Sequence, residues 1–268
     1  MKQRLLATSV CIAAIFITGC SRYYYKPNGV NVPLFTEGGQ FHLNINGSVS
    51  SESDANGTNT NTMNVFDFQG SVSPINHLGV IAGYSSYNYT TTVPNFNAGN
   101  VNATAGLAEA GVGGYYALGG QKVKMVVDFY GGWGVGKIQS DINANVNRLF
   151  FQPGIGMRSP WFDVAFNPRV VNLGFTNFDA NGHDNLYLQN QGLIDATGVR
   201  FDTRRYTFFE PCFTMRAGYK FAKVQFQYVF SVPMSAMSWN ASPGRLSMGF
   251  YFGLEDLLDV VREGNAKK

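Results

Sequence analysis

The chain holds 268 residues with a net charge of +3; only 14% are charged, while 45% are hydrophobic and 15% aromatic. That combination excludes a disordered chain, and so small a charge excludes an electrostatic footprint for nucleic acid. No apolar run reaches the ~20 residues of a spanning helix, which excludes a helical membrane protein.

In chain order the first element is a leader. Lys2 and Arg4 form a cationic head, Leu5 to Ile17 an apolar stretch, and Thr18 and Gly19 two small residues ahead of Cys20. The pattern predicts a bacterial lipoprotein signal over residues 1–19, cleaved to leave Cys20 as an acylated N-terminus. An ordinary secretory signal is the alternative, and either one exports the chain. Loss of the leader takes the net charge from +3 to +1. It also removes Cys11, so with Cys20 acylated Cys212 stands alone, and neither a disulfide framework nor a cysteine metal site is expected. Residues 20–38, in which Tyr23-Tyr24-Tyr25-Lys26-Pro27-Asn28 leads to Glu37-Gly38, predict an extended tether. Its aromatics suit either the membrane interface or the mouth of the domain that follows.

Residues 39–254 carry a period of two. Val123, Met125, Val127, Phe129, Gly131, Trp133 and Val135 share one face of an extended segment, and Lys122, Lys124 and Asp128 share the other. Comparable segments begin at Phe41 and recur near 63–73, 78–89, 103–117, 148–157, 162–177, 206–219, 222–232 and 244–254. These are about ten strands, each close to the ~9–11 residues that a tilted membrane strand requires. Tight connectors (Ser73–His77, Leu118–Gly120, Ser159–Pro160, Lys220–Ala222) alternate with long polar ones (Ser50–Asn61, Thr90–Asn102, Asn177–Arg205). The expected fold is therefore all-β: an antiparallel transmembrane barrel of about ten strands, with short periplasmic turns and long extracellular loops. Eight or twelve strands are the alternatives, because 136–147 and 178–205 have room for further pairing. An even count that starts and ends on the short-turn side predicts both termini in the periplasm. Phe150-Phe151-Gln152-Pro153 and Phe208-Phe209-Glu210-Pro211 echo each other, and each proline predicts a bulge in the wall. In the tail, 255–268, Leu257, Leu258 and Val261 have the spacing of a short helix.

The same period sorts the charges. Glu109, Asp128, Arg148, Arg169, Glu210 and Arg245 fall on the inner, wet set at similar heights, and Lys124, Asp163 and Arg216 form a lower group. Buried charges need partners, so a compensated ion-pair network filling the lumen is expected. A selective pore favours one dominant sign at its constriction. The balance therefore points to a non-enzymatic barrel with a structural or accessory role. A narrow channel or ligand-binding barrel is the second reading, and a lipid-modifying enzyme the third. His42 is expected in the lumen near the short-turn rim, His77 in a short turn, and His183-Asp184 in the longest loop as the pair facing outward. No catalytic residue, metal site or cofactor is assigned, for no serine elbow, paired metal-ligand histidines or phosphate cradle is present.

The tether motif Tyr25-x-Pro27-Asn28-x-x-Asn31-x-Pro33-Leu34-Phe35-x-Glu37-x-Gly39, followed by about ten strands, resembles small outer-membrane barrel lipoproteins of Bacteroidota. The resemblance covers the mature chain; it implies an outer-membrane barrel and says nothing about a substrate. A barrel in that place is expected to have outer-membrane lipids as partners, with other outer-membrane proteins as a second class, and the near-neutral charge predicts no nucleic acid. Ser21-Arg22-Tyr23 departs from the acidic run that surface-exported lipoproteins of that group carry after the cysteine, which implies a periplasmic anchor.

Overall fold

A strand with one apolar and one polar face leaves its backbone edges open, and in a lipid environment only a closed ring satisfies them all. The computed structural model describes residues 23–53, 60–92, 101–120 and 122–255. The leader 1–19, Cys20 and the tail beyond Glu255, with its expected helix, lie outside the described residues. A short strand β1 (Tyr23–Tyr25) precedes the wall, which opens with β2 (Phe41–Ser53), β3 (Thr60–Ile75), β4 (Leu78–Thr92) and β5 (Val101–Gly119). It continues through β6 (Lys124–Gln139), β7 (Asn143–Arg158), β8 (Phe162–Asp179), β9 (Arg205–Tyr219) and β10 (Ala222–Phe230). Just past β10, β11 (Val232–Pro233) resumes the ladder on β9, β12 (Asn240–Ala241) lies in the loop that follows, and β13 (Gly244–Gly253) completes the ring. Each wall strand pairs antiparallel with its neighbours, and β13 closes on β2, so ten strands form the barrel.

The regions with room for extra pairing add no wall strand. Residues 136–147 are the far ends of β6 and β7, and 178–205 carries a short helix, α1 (Asn185–Asn190), in place of strands. Most strands are longer than expected: β5 runs for 19 residues and β8 for 18, whereas β10 has 9 and β13 has 10. The difference lies at the long-loop end, where Ser, Thr and Asn occupy both faces and the pattern reads as loop although the ladder continues. The wall is consequently tall over most of its circumference and low at β10 and β13. The proline bulges do not form. Pairing runs without a register shift through Phe129↔Pro153 and Pro168↔Pro211, and the β7–β8 ladder is instead interrupted between Phe151↔Val170 and Ile155↔Phe166. Proline withholds a donor, and here its effect is a gap in one ladder with no extra residue.

The burial pattern is that of a membrane barrel. Phe129, Trp133, Phe226 and Phe250, on the outer face, are each about half exposed, which forms the apolar band that a lipid-facing wall requires. Trp161 packs on Tyr219 at 4.8 Å beside the short turns, the kind of aromatic pair that suits a membrane interface. Within, the wall glycines yield space. A Cβ on Gly79 would come within 2.6 Å of the Tyr130 hydroxyl and 3.1 Å of the Phe35 ring, so only glycine lets both rings pass there.

Candidate functional site

The lumen is the candidate site, and it is already occupied. Residues 24–35 are buried without interruption and pass through the barrel from one end to the other. At the long-loop end Tyr23 and Tyr25 pair in parallel with Asn240 and Ala241, and the Tyr24 hydroxyl donates to Asp141 at 2.8 Å. At the short-turn end the Thr36 amide donates to the Gln40 side chain at 2.8 Å, and the Gly39 amide to Ser73. The tether thus enters the lumen itself. Its first described residue lies at the end opposite to the start of β2 and the close of β13. The two ends of the wall are on the short-turn side, as expected. Tyr23 lies at the long-loop end, so of the two places open to them the tether's aromatics take the barrel interior, and the tether runs the height of the barrel.

Through most of its length the tether has no strand beside it, so its backbone groups need other partners. Wall side chains supply them. Val30 is held in both directions by Gln227, which accepts from its amide and donates to its carbonyl at 2.8 Å each. Gln69 donates to the Gly29 carbonyl and Gln152 to the Asn31 carbonyl, both at 2.8 Å, and Arg216 donates to the Val32 carbonyl at 2.5 Å. Pro27 and Pro33 stand where an amide would have demanded one more acceptor, and their fixed φ pre-extends the segment. Val30, Val32, Leu34 and Phe35 then pack with Tyr115, Val126, Ala165 and Cys212 into an apolar core below the charges.

The charged belt is built around the tether. Glu210 accepts from Arg169 at 2.7 Å and lies 3.4 Å from Arg148, while Glu109 lies 3.0 Å from Arg148 and 3.9 Å from Arg169. Asn28 sits in the middle of this square. Its Oδ1 accepts from Arg148 at 2.8 Å and from Arg169 at 3.0 Å, and its Nδ2 donates to Glu109. Tyr25 adds a hydroxyl donated to Glu210 at 2.5 Å. Two acids and two bases cancel, so the belt binds the tether and leaves no net field for an ion.

The other members of the expected network are arranged differently. Arg245 pairs with Asp67 at 2.6 Å, outside the square. Asp163 pairs with Lys223 at 2.6 Å and stands 4.0 Å from Arg216. Lys124 is half-buried at the short-turn end with no ion pair among the described residues. Asp128 is 3% exposed, and no described cation pairs with it either. One level is thus three separate groups, because strand stagger places equal counts from a turn at unequal heights. Asp67, Lys223 and Asn28 were not assigned to the network from the sequence. Asp67 shares the inner face with Val65 and Gln69, and Lys223 with Gln225, so the same period carried their signal; Asn28 stands in the tether motif, but nothing local places it among the charges.

At the short-turn mouth His42 is buried and shares a 2.7 Å hydrogen bond with Glu255, which also accepts from Arg158 at 2.9 Å. Burial opposes ionisation of Glu255, but the hydrogen bond from His42 and the charge of Arg158 prevail and hold its carboxyl down to about 2. At the other mouth the long loops fold inward. Trp239 meets Tyr206 edge-on at 5.0 Å and Phe175 at 5.5 Å, over Phe201 and Phe208. Asp184 caps α1 by accepting from the Tyr187 amide at 2.8 Å, and His183 stacks on the Tyr187 ring at 3.9 Å. Both have structural partners. Two cavities beside the tether measure about 80 and 20 Å³, against the ~300–1,000 Å³ of a ligand site.

No protein-family model matches the sequence, and no curated protein does. Among solved structures, the chain is similar to the transport unit of the autotransporter AIDA-I from Escherichia coli. That match has 14% identity and a TM-score of 0.39, covering 80% of this chain and 89% of the other. It is also similar to the translocator domain of the autotransporter NalP from Neisseria meningitidis, at 11% identity and a TM-score of 0.41, covering 84% and 87%.

Proposed function

We propose that this is a self-plugged, non-conducting outer-membrane barrel with a structural or accessory role and no enzymatic activity, anchored by an acyl group on Cys20. The observation that carries this reading is the unbroken burial of residues 24–35 along the lumen axis, held by Gln69, Gln152, Gln227, Arg148, Arg169 and Arg216. A permeant solute needs the path that the tether fills, and the belt's charges are spent on one another and on Asn28. Lipids of the outer membrane are the partners of the apolar band, and other outer-membrane proteins are the partners open to the loops.

Planar-bilayer recordings test the reading. The whole protein is expected to give no steady conductance, and a variant lacking residues 24–36 to give one of nanosiemens order. A whole protein that conducts steadily sinks the proposal.

A further inference from the structure

Cys20 precedes Tyr23 by three residues, a span of at most ~11 Å of extended chain. Tyr23 is fixed at the long-loop end by its pairing with Asn240. The tether from Tyr24 to Thr36 covers on the order of 40 Å at ~3.3 Å per residue, so the far mouth is several times beyond that reach. The lumen offers no return path, since the tether and its partners fill it.

The wall is also low on the side where Tyr23 lies. β12, its pairing partner, belongs to the connector between β10 and β13, and these strands have 9 and 10 residues. With the two residues by which β11 continues beside β9, that is close to the length of a membrane-crossing strand, so the barrel lip here stands near the membrane surface. Val232, Met234 and Leu246, along this lip, are 51%, 65% and 64% exposed, an apolar rim continuous with the lipid-facing band. Elsewhere the strands rise well above that level and would separate the chain from lipid.

We infer that the barrel carries its own N-terminal segment across the membrane and displays Cys20 at the long-loop face. Its acyl chains then enter the leaflet on that side, over the low lip between β10 and β13. With long loops outside the cell, this is the outer leaflet, opposite to the periplasmic anchor implied by the missing acidic run. The inference rests on the acylation of Cys20 and on the self-plugged reading.

Single cysteines at Arg22 and Glu37 test it in the full chain expressed in its membrane, with a membrane-impermeant maleimide as probe. The native Cys212 is fully buried, and an acylated Cys20 has its sulfur capped. Arg22→Cys is expected to label in intact cells, at least tenfold more than Glu37→Cys, which labels only after the outer membrane is permeabilised. Protection of Arg22→Cys until permeabilisation overturns the inference. Mass spectrometry of the N-terminal peptide separates the two premises. Labelling with an acyl mass on Cys20 supports the whole inference. Labelling without it leaves the threading intact and overturns the leaflet anchor.

Discussion

Glu210 and Asp128 are both buried acids on the inner wall, yet their surroundings differ. Glu210 answers two guanidinium groups, the Tyr25 hydroxyl and, at 3.4 Å, the Ser231 hydroxyl. Removing its charge leaves Arg148 and Arg169 facing Glu109 alone, and breaking a buried pair from one side costs about 3–5 kcal/mol. Glu210→Gln is therefore expected to lower the heat-unfolding midpoint sharply, read as the shift in gel mobility of the folded barrel. Asp128→Asn removes a charge that has no described counter-ion, and the midpoint is expected to hold or rise. Equal losses in the two variants would contradict the arrangement of the belt. Glu255 provides a pH dependence. Its carboxyl is held down to about 2 in the folded state, against about 4.3 unfolded. Its stabilisation is therefore complete above about pH 4.3 and lost as the pH falls towards 2. The midpoint of the native protein should fall over that interval, and that of Glu255→Gln should fall less.

The seam between β13 and β2 is the shortest ladder in the wall, paired only from Met248↔Gly47 to Gly253↔His42. Gly244 to Ser247 pair with β10 but have no strand on their other side. Side chains hold what the backbone leaves open. Arg245 reaches Asp67 on β3 at 2.6 Å and donates to Ser48 on β2 at 2.8 Å, and Gln225 on β10 donates to Asn46 on β2 at 2.9 Å. Arg245→Ala should accelerate amide exchange at Gly244–Ser247 severalfold, with β6 and β7 unchanged. Uniform protection in the variant would show that the backbone alone closes the ring. Much of this was legible in the chain. The period of two marks every wall strand and sorts Arg148, Arg169 and Glu210 inward, because one rule governs each residue whatever its distance from the others. Pairing partners are another matter. Arg245 with Asp67 depends on strand stagger, and Asn28 with Glu109 depends on where an irregular segment runs. Neither is a local property, so the network's membership was visible while its connections were not. The wet face read as an ion-pair filling proved to be largely a set of amide partners for the tether.

For the molecule as a whole, wall and plug are two halves of one hydrogen-bonding system. Gln69, Gln152, Gln227 and Arg216 each satisfy a tether backbone group. Without the tether they face an open lumen, while the lipid-facing wall is unchanged. The plug is also shaped like a dumb-bell. Tyr24 and Tyr25 stand above the belt, Leu34 and Phe35 below it, and the narrow Gly29 lies between, where a Cβ would meet the Asp67 carboxylate at 2.7 Å. Drawing either aromatic end through the square of Glu109, Arg148, Arg169 and Glu210 would break its ion pairs and desolvate them together, which costs several kcal/mol per ion. Closing β13 on β2 around a tether already in place requires no such step, so the ring is expected to close last. A split chain tests this order. Refolding residues 39–255 together with a peptide of residues 23–38 should recover the heat resistance of the native barrel. The same peptide added after the barrel has closed should fail to do so over hours. Equal recovery by both routes would mean that the tether can thread a finished barrel.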